Sequence, residues 1–159
     1  MTAQLSKAQA QSLYKQDYYL WLQTSVEQMR QQNLDSLDWE HLIEEIEELG
    51  NEQRRKVKSY LKQLLVHLLL YKYWKSERDY CAKGWEIEID NFRDELEFLL
   101  ESKTLYNYFL REIENVYIKA RRQALKKTGL SSEIFPQQCP FQAEQILNSD
   151  YLPDFYENS

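Results

Sequence analysis

The sequence predicts an all-α, single-domain helical bundle of four or five main helices with an irregular, proline-containing C-terminal tail. Three observations carry that expectation. Only 3 glycines and 3 prolines occur in 159 residues, too few for the many tight turns of a sandwich or barrel. The prolines are Pro136, Pro140 and Pro153, so everything before Pro136 is free of the residue that breaks helices. Apolar residues recur at three-to-four-residue intervals along the chain, the period of a helix with one buried face. A composition that is 43% hydrophobic and 14% aromatic supplies a core for a domain of this length and excludes intrinsic disorder.

Residues 1–12 read as a flexible N-terminus, 13–129 as the bundle and 130–159 as a tail packing on the bundle. The first block spans about Leu13 to Gln31, with Tyr14, Tyr18, Trp21, Ser25 and Met29 on one stripe and Leu22 beside it. Asp35 and Asp38 offer N-cap chemistry for a second helix. Its apolar positions Trp39, Leu42, Ile43, Ile46 and Leu49 are expected to face inward, and Gly50 is a plausible C′ stop. The third block begins charged at Asn51 and becomes apolar on nearly every face between Leu64 and Leu70. A helix apolar all round belongs at the centre of a bundle. A break is expected within Ser76 to Gly84, followed by a helix whose stripe is Trp85, Ile89, Phe92, Leu96, Leu99 and Leu100. Ser102 or Thr104 caps the fifth helix, about Leu105 to Lys127, with Phe109, Ile113, Val116, Tyr117, Ala120 and Ala124 inward. Cations lie in its last turns and Gly129 ends it. In the tail a short helix is expected from Phe141 to Asn148.

Twenty Lys and Arg against 26 Asp and Glu give a net charge of −6, which favours solubility and opposes nonspecific binding to nucleic acid or an anionic membrane. Cys81 and Cys139 form no CxxC or Cys/His cluster, so neither a disulfide framework nor a zinc site is read, and both thiols are expected reduced. No apolar run reaches signal-peptide or membrane-span length. A cytoplasmic location is the expectation by default.

Several motifs follow one another in order: Asp17-Tyr18-Tyr19-Leu20-Trp21-Leu22, then Leu37-Asp38-Trp39-Glu40-His41-Leu42-Ile43-Glu44-Glu45-Ile46-Glu47-Glu48-Leu49-Gly50, then His67-Leu68-Leu69-Leu70 with Trp85 after it. Thr128-Gly129-Leu130, Phe135-Pro136-Gln137-Gln138-Cys139-Pro140-Phe141 and Asp150-Tyr151-Leu152-Pro153 complete the set. Over about Leu13 to Pro153 this order resembles the domain-of-unknown-function 29 family, small proteins common in cyanobacteria and some other bacteria. The resemblance implies an all-α fold and a bacterial cytoplasmic setting. It carries no activity, cofactor or catalytic residue to transfer.

Four groups invite a chemical reading. His41 with Glu44, Glu45 and Glu48 has the spacing of metal ligands on a helix face. With the neighbouring apolar residues inward, however, His41, Glu44 and Glu48 point outward and only Glu45 stays at the stripe's edge, so a solvated acidic face is expected. His67 lies in the most apolar stretch and shares a helix side with Tyr60, Leu64, Tyr71 and Trp74. Its readings are a pocket ligand or base and a core histidine satisfied by a neighbour. Cations cluster at Arg54, Arg55, Lys56, Lys58 and Lys62 and again at Lys119, Arg121, Arg122, Lys126 and Lys127. Such runs pair with acids on neighbouring helices or track a phosphate backbone. Four Trp and 12 Tyr fill a bulky interior or furnish interface anchors.

No catalytic, cofactor-binding or metal-ligating set emerges, and the reading leans away from an enzyme. The candidates for a pocket are His67, Tyr71, Trp74 and Glu45. The function expected is a small cytoplasmic protein-interaction or regulatory module that binds a protein partner or its own copy. The alternatives are a metal-binding or enzymatic bundle centred on His67 and a nucleic-acid-associated protein using the Arg54–Lys62 and Lys119–Lys127 clusters.

Overall fold

The computed structural model describes residues 5–156, and all regular structure among them is helical: α1 (Lys7–Gln16), α2 (Tyr18–Arg30), a 3-10 turn (Leu34–Ser36), α3 (Trp39–Tyr73), α4 (Lys75–Leu100), α5 (Lys103–Thr128) and α6 (Ala143–Leu147). Contacts group the chain into two compact units, Met1–Asn51 and Glu52–Ser159.

In the first unit a capping box opens α1: Gln9 N–H donates to Ser6 Oγ while Ser6 N–H donates to Gln9 Oε1, satisfying two otherwise orphaned donors. Helix formation therefore begins at Lys7, ahead of the expected Leu13, and Met1–Gln4 lie outside the described residues. The single helix expected over Leu13–Gln31 is two. Asp17 takes a non-helical conformation, and its carboxylate accepts the Leu20 N–H at 3.0 Å, capping α2. That local bond competes with helix continuation. Trp21 and Leu37 are fully buried at the heart of this unit, with Leu42 beside them and Leu13, Tyr14 and Leu22 packed around.

Gly50 is not a stop. Helix α3 runs through it to Tyr73, because a glycine inside a helix costs only about 1 kcal/mol relative to alanine and the Glu, Gln, Arg and Lys around it are good helix formers. The next break is also tighter than the expected Ser76–Gly84. Only Trp74 leaves helical geometry, and Gly84 lies inside α4. Arg78 explains the economy: its Nε and Nη2 donate to the Tyr71 and Lys72 carbonyls at the end of α3, satisfying acceptors that a helix C-terminus leaves open.

The second unit is built around the last six turns or so of α3. Leu64, Leu65, Val66, Leu68, Leu69 and Leu70 are all buried, joined by Trp85, Ile89, Leu96 and Leu99 of α4 and Phe109, Val116, Tyr117, Ala120 and Ala124 of α5. Ser102 Oγ caps α5 by accepting the Leu105 N–H. Gly129, at φ 66°, ends it in the left-handed conformation that glycine adopts without penalty. The chain after α5 packs into the same core through Phe135, Phe141 and Ile146. Its carbonyls are held by side chains of the helices: Tyr117 Oη donates to Pro136 O, Arg121 to Ser132 O and Phe135 O, and Arg93 to Gln145 O and Ile146 O.

Candidate functional site

In the first unit Asp38 gathers three donors. Its side chain is fully buried, its Oδ1 accepts the His41 backbone N–H as the N-cap of α3, and its Oδ2 accepts Trp21 Nε1–H at 3.1 Å and the His41 ring Nδ1–H at 2.6 Å. A buried carboxylate that accepts three hydrogen bonds is stabilised by those donors against the cost of desolvation. The His41 ring stacks on Tyr14 at 3.8 Å between centroids, and Tyr14 meets Trp21 edge-on at 4.9 Å. One turn further along α3, Glu45 accepts both phenol hydroxyls, Tyr14 and Tyr18, each at 2.6 Å. The two hydrogen bonds hold the Glu45 carboxyl below its ordinary value. Bonding to that carboxylate pushes the Tyr14 phenol up to about 12 and raises Tyr18 as well.

This cluster reverses the expected orientation of α3. His41 and Glu45 face the aromatic residues of α1 and α2, while the residues expected inward, Leu42 excepted, are turned to solvent. Trp39 is 47% exposed, Ile43 54%, Ile46 67% and Leu49 68%. The physical reason is that the polar face finds better partners. A buried cap, a stacked imidazole and a doubly bonded carboxylate use the side with Asp38, His41 and Glu45, leaving the apolar stripe on the other side largely uncovered by the described residues. Trp39 Nε1 donates to Leu34 O, which fixes the ring at one end of the stripe. Ile43, Ile46 and Gly50 continue it within about 40° of one line, with Leu49 at its edge. Nothing lies within 4 Å of the position a Gly50 side chain would take.

In the second unit His67 donates its ring Nδ1–H to Gln63 O at 2.7 Å and lies against Phe92. Burial, with Lys127 nearby, lowers its pKa, opposed in part by the bond to Gln63. The other pocket candidates go separate ways. Tyr71 Oη donates to Glu86, Trp74 stacks on Trp85 at 5.9 Å, and Glu45 is engaged with Tyr14 and Tyr18. The Cys139 thiol is pushed up to about 11, chiefly by burial, and so is protonated and unreactive at neutral pH. Among the described residues no group of three or more His, Cys, Asp or Glu side chains is placed to hold a metal ion.

Two sequence-distant cation runs do meet. Arg55, Lys58, Ser59 and Lys62 of α3 and Glu112, Asn115, Val116 and Lys119 of α5 line a groove of about 380 Å³. Lys58 pairs with Glu112 at 3.5 Å, and Arg55 pairs with Glu52 outside the groove. Ser59, Asn115 and Glu112 were not singled out from sequence. The available signal was the three-to-four spacing of Arg55, Ser59 and Lys62 on one helix and of Glu112, Asn115 and Lys119 on another.

Residues 13–152 match the family model described as domain of unknown function DUF29. No curated protein and no solved structure matches the chain.

Proposed function

We propose that this chain, which belongs to the domain of unknown function DUF29 family, is a protein-interaction module whose docking face is the exposed apolar stripe of α3 and whose partner is a second copy of the same chain. The observation that carries the reading is the row Trp39, Ile43, Ile46 and Leu49, four large apolar side chains turned to solvent on one helix. A contiguous exposed apolar patch on a helix is a characteristic of binding surfaces. The charge order along α3 selects the partner. Glu40, Glu44, Glu47 and Glu48 come first, and Arg54, Arg55, Lys56 and Lys58 follow. In an antiparallel second copy the acidic run of one helix points toward the cationic run of the other, and the contact is confined to the turns around Ile46 and Gly50, because Val57 and Leu61 further along are buried.

Pairing about an axis midway between Ile46 and Gly50 places each Ile46 over the other chain's Gly50, where the missing Cβ permits close approach. Leu49 then meets its own copy. Glu47 lies beside Glu47, the one like-charge contact. A bacterial cytoplasmic setting, implied by the family resemblance, fits this reading, and no described helix is long and apolar enough to cross a membrane.

Sedimentation velocity over a concentration series tests the proposal. The wild type is expected to dimerise, Ile46→Glu to be monomeric with an unchanged circular dichroism spectrum, and Glu47→Gln to dimerise more tightly. A wild type that stays monomeric at the highest concentration, or a dimer indifferent to Ile46→Glu, overturns it.

A further inference from the structure

We propose that the groove between α3 and α5 of the second unit is a binding site for a compact ligand bearing two or more adjacent phosphate groups. This inference rests on other geometry than the self-association reading: Arg55 and Lys58 enter both, but Lys62 and Lys119, on which the test below acts, belong to the groove alone. Arg55, Lys58, Lys62 and Lys119 bring four positive charges to a groove whose only acid is Glu112. The whole chain carries a net charge of −6, so this concentration of cations runs against the average composition. Like charges held side by side repel, and folding does not require them here: Lys62 and Lys119 have no ion-pair partner among the described residues. An anionic ligand supplies the missing counter-charge.

The neutral lining fits the same chemistry. Ser59 and Asn115 add a hydroxyl and an amide to the lining, and Val116, a buried residue, adds an apolar side chain. Lysine ammonium groups bind phosphate as point charges, and an arginine fork binds it in two-pronged fashion. A volume of about 380 Å³ lies in the range of small-molecule sites. Charge distribution favours a compact ligand over a long polyanion. Outside the groove lining the chain is more acidic than its total suggests, with Glu86, Glu88, Asp90, Asp94, Glu95 and Glu97 on α4.

The Lys58–Glu112 pair tunes the site. Glu112 occupies one cation and places a negative charge against the ligand, so its removal strengthens binding.

Titration calorimetry of the full chain with inorganic tripolyphosphate is the test, with a 12-nucleotide single strand as the second probe. Tripolyphosphate is expected to bind with an affinity that falls as salt rises. Lys62→Ala with Lys119→Ala is expected to weaken it about tenfold or more with no loss of melting temperature, since neither side chain has an ion-pair partner among the described residues, and Glu112→Gln is expected to strengthen it. No heat with tripolyphosphate, or binding unchanged in the double variant, overturns the site. Tighter binding of the oligonucleotide than of tripolyphosphate overturns the compact ligand in favour of a nucleic acid.

Discussion

The Tyr14 ring lies flat on the His41 imidazole, 3.8 Å away and 13° from parallel, and this contact sets which way the first turns of α3 face. With His41 held against α1 by the stack and by Asp38, Glu45 follows one turn later on the same side, and Ile43 and Ile46 are carried to the opposite side. The outward stripe is thus a consequence of a polar and aromatic lock.

Removing the lock is costly. Asp38→Ala leaves α3 without its cap and strands the Trp21 and His41 donors, and is expected to destabilise the first unit by about 2–4 kcal/mol. Chemical denaturation followed by Trp21 fluorescence in a chain with the other tryptophans replaced by phenylalanine measures it. Asp38→Asn, which keeps the cap but loses charge, is expected to cost less.

The Glu45 carboxyl is held below its ordinary value in the folded chain. Its contribution to stability is therefore present above the unfolded value and is lost as pH falls through the folded one. Tyr14 behaves oppositely: with its phenol raised to about 12, its contribution is intact below about 10 and is lost as pH climbs toward 12. Carboxyl titration by NMR is expected to show Glu45 rising in Tyr14→Phe and further in Tyr14→Phe with Tyr18→Phe. An unchanged Glu45 would refute the hydrogen-bonded assignment.

His67 is half-buried with its pKa lowered, so the unfolded chain binds a proton that the folded chain refuses. Stability from this group is complete above about pH 6.5 and declines as pH drops below it. Melting temperatures between pH 7.5 and 5.5 are expected to fall less steeply for His67→Gln than for the wild type.

Gly50 separates folding from association. Alanine there meets open space at negative φ and is expected to stabilise the monomeric chain by about 0.5–1 kcal/mol. The same methyl group intrudes where Ile46 of a second copy packs, so Gly50→Ala is expected to weaken the dimer. A substitution that raises melting temperature at low concentration while lowering self-affinity has no explanation in a free-standing helix.

What the sequence made legible follows from burial. The all-round apolar run Leu64–Leu70 has one physical solution, and the stripes of α4 and α5 agree with each other, so the second unit was readable in outline. The orientation of Trp39–Leu49 was not. Periodicity identifies which face of a helix is apolar, but only the partners of Asp38, His41 and Glu45 decide which face is covered, and those partners, Tyr14, Tyr18 and Trp21, come from other helices. Gly50 was ambiguous for a related reason, since glycine suits both a helix end and a close approach between helices. The groove is not legible in the sequence because its two cation runs lie far apart in the chain and only the α3–α5 packing joins them.

The claim that α3 pairs with its own copy in antiparallel fashion is tested most directly by cross-linking. In a background with Cys81→Ala and Cys139→Ala, one chain carries Ile43→Cys and another Gln53→Cys, positions that face each other across the proposed axis. Mild oxidation of the mixture is expected to give chiefly the mixed disulfide. Disulfides formed only between identical chains, or none at all, would contradict the account.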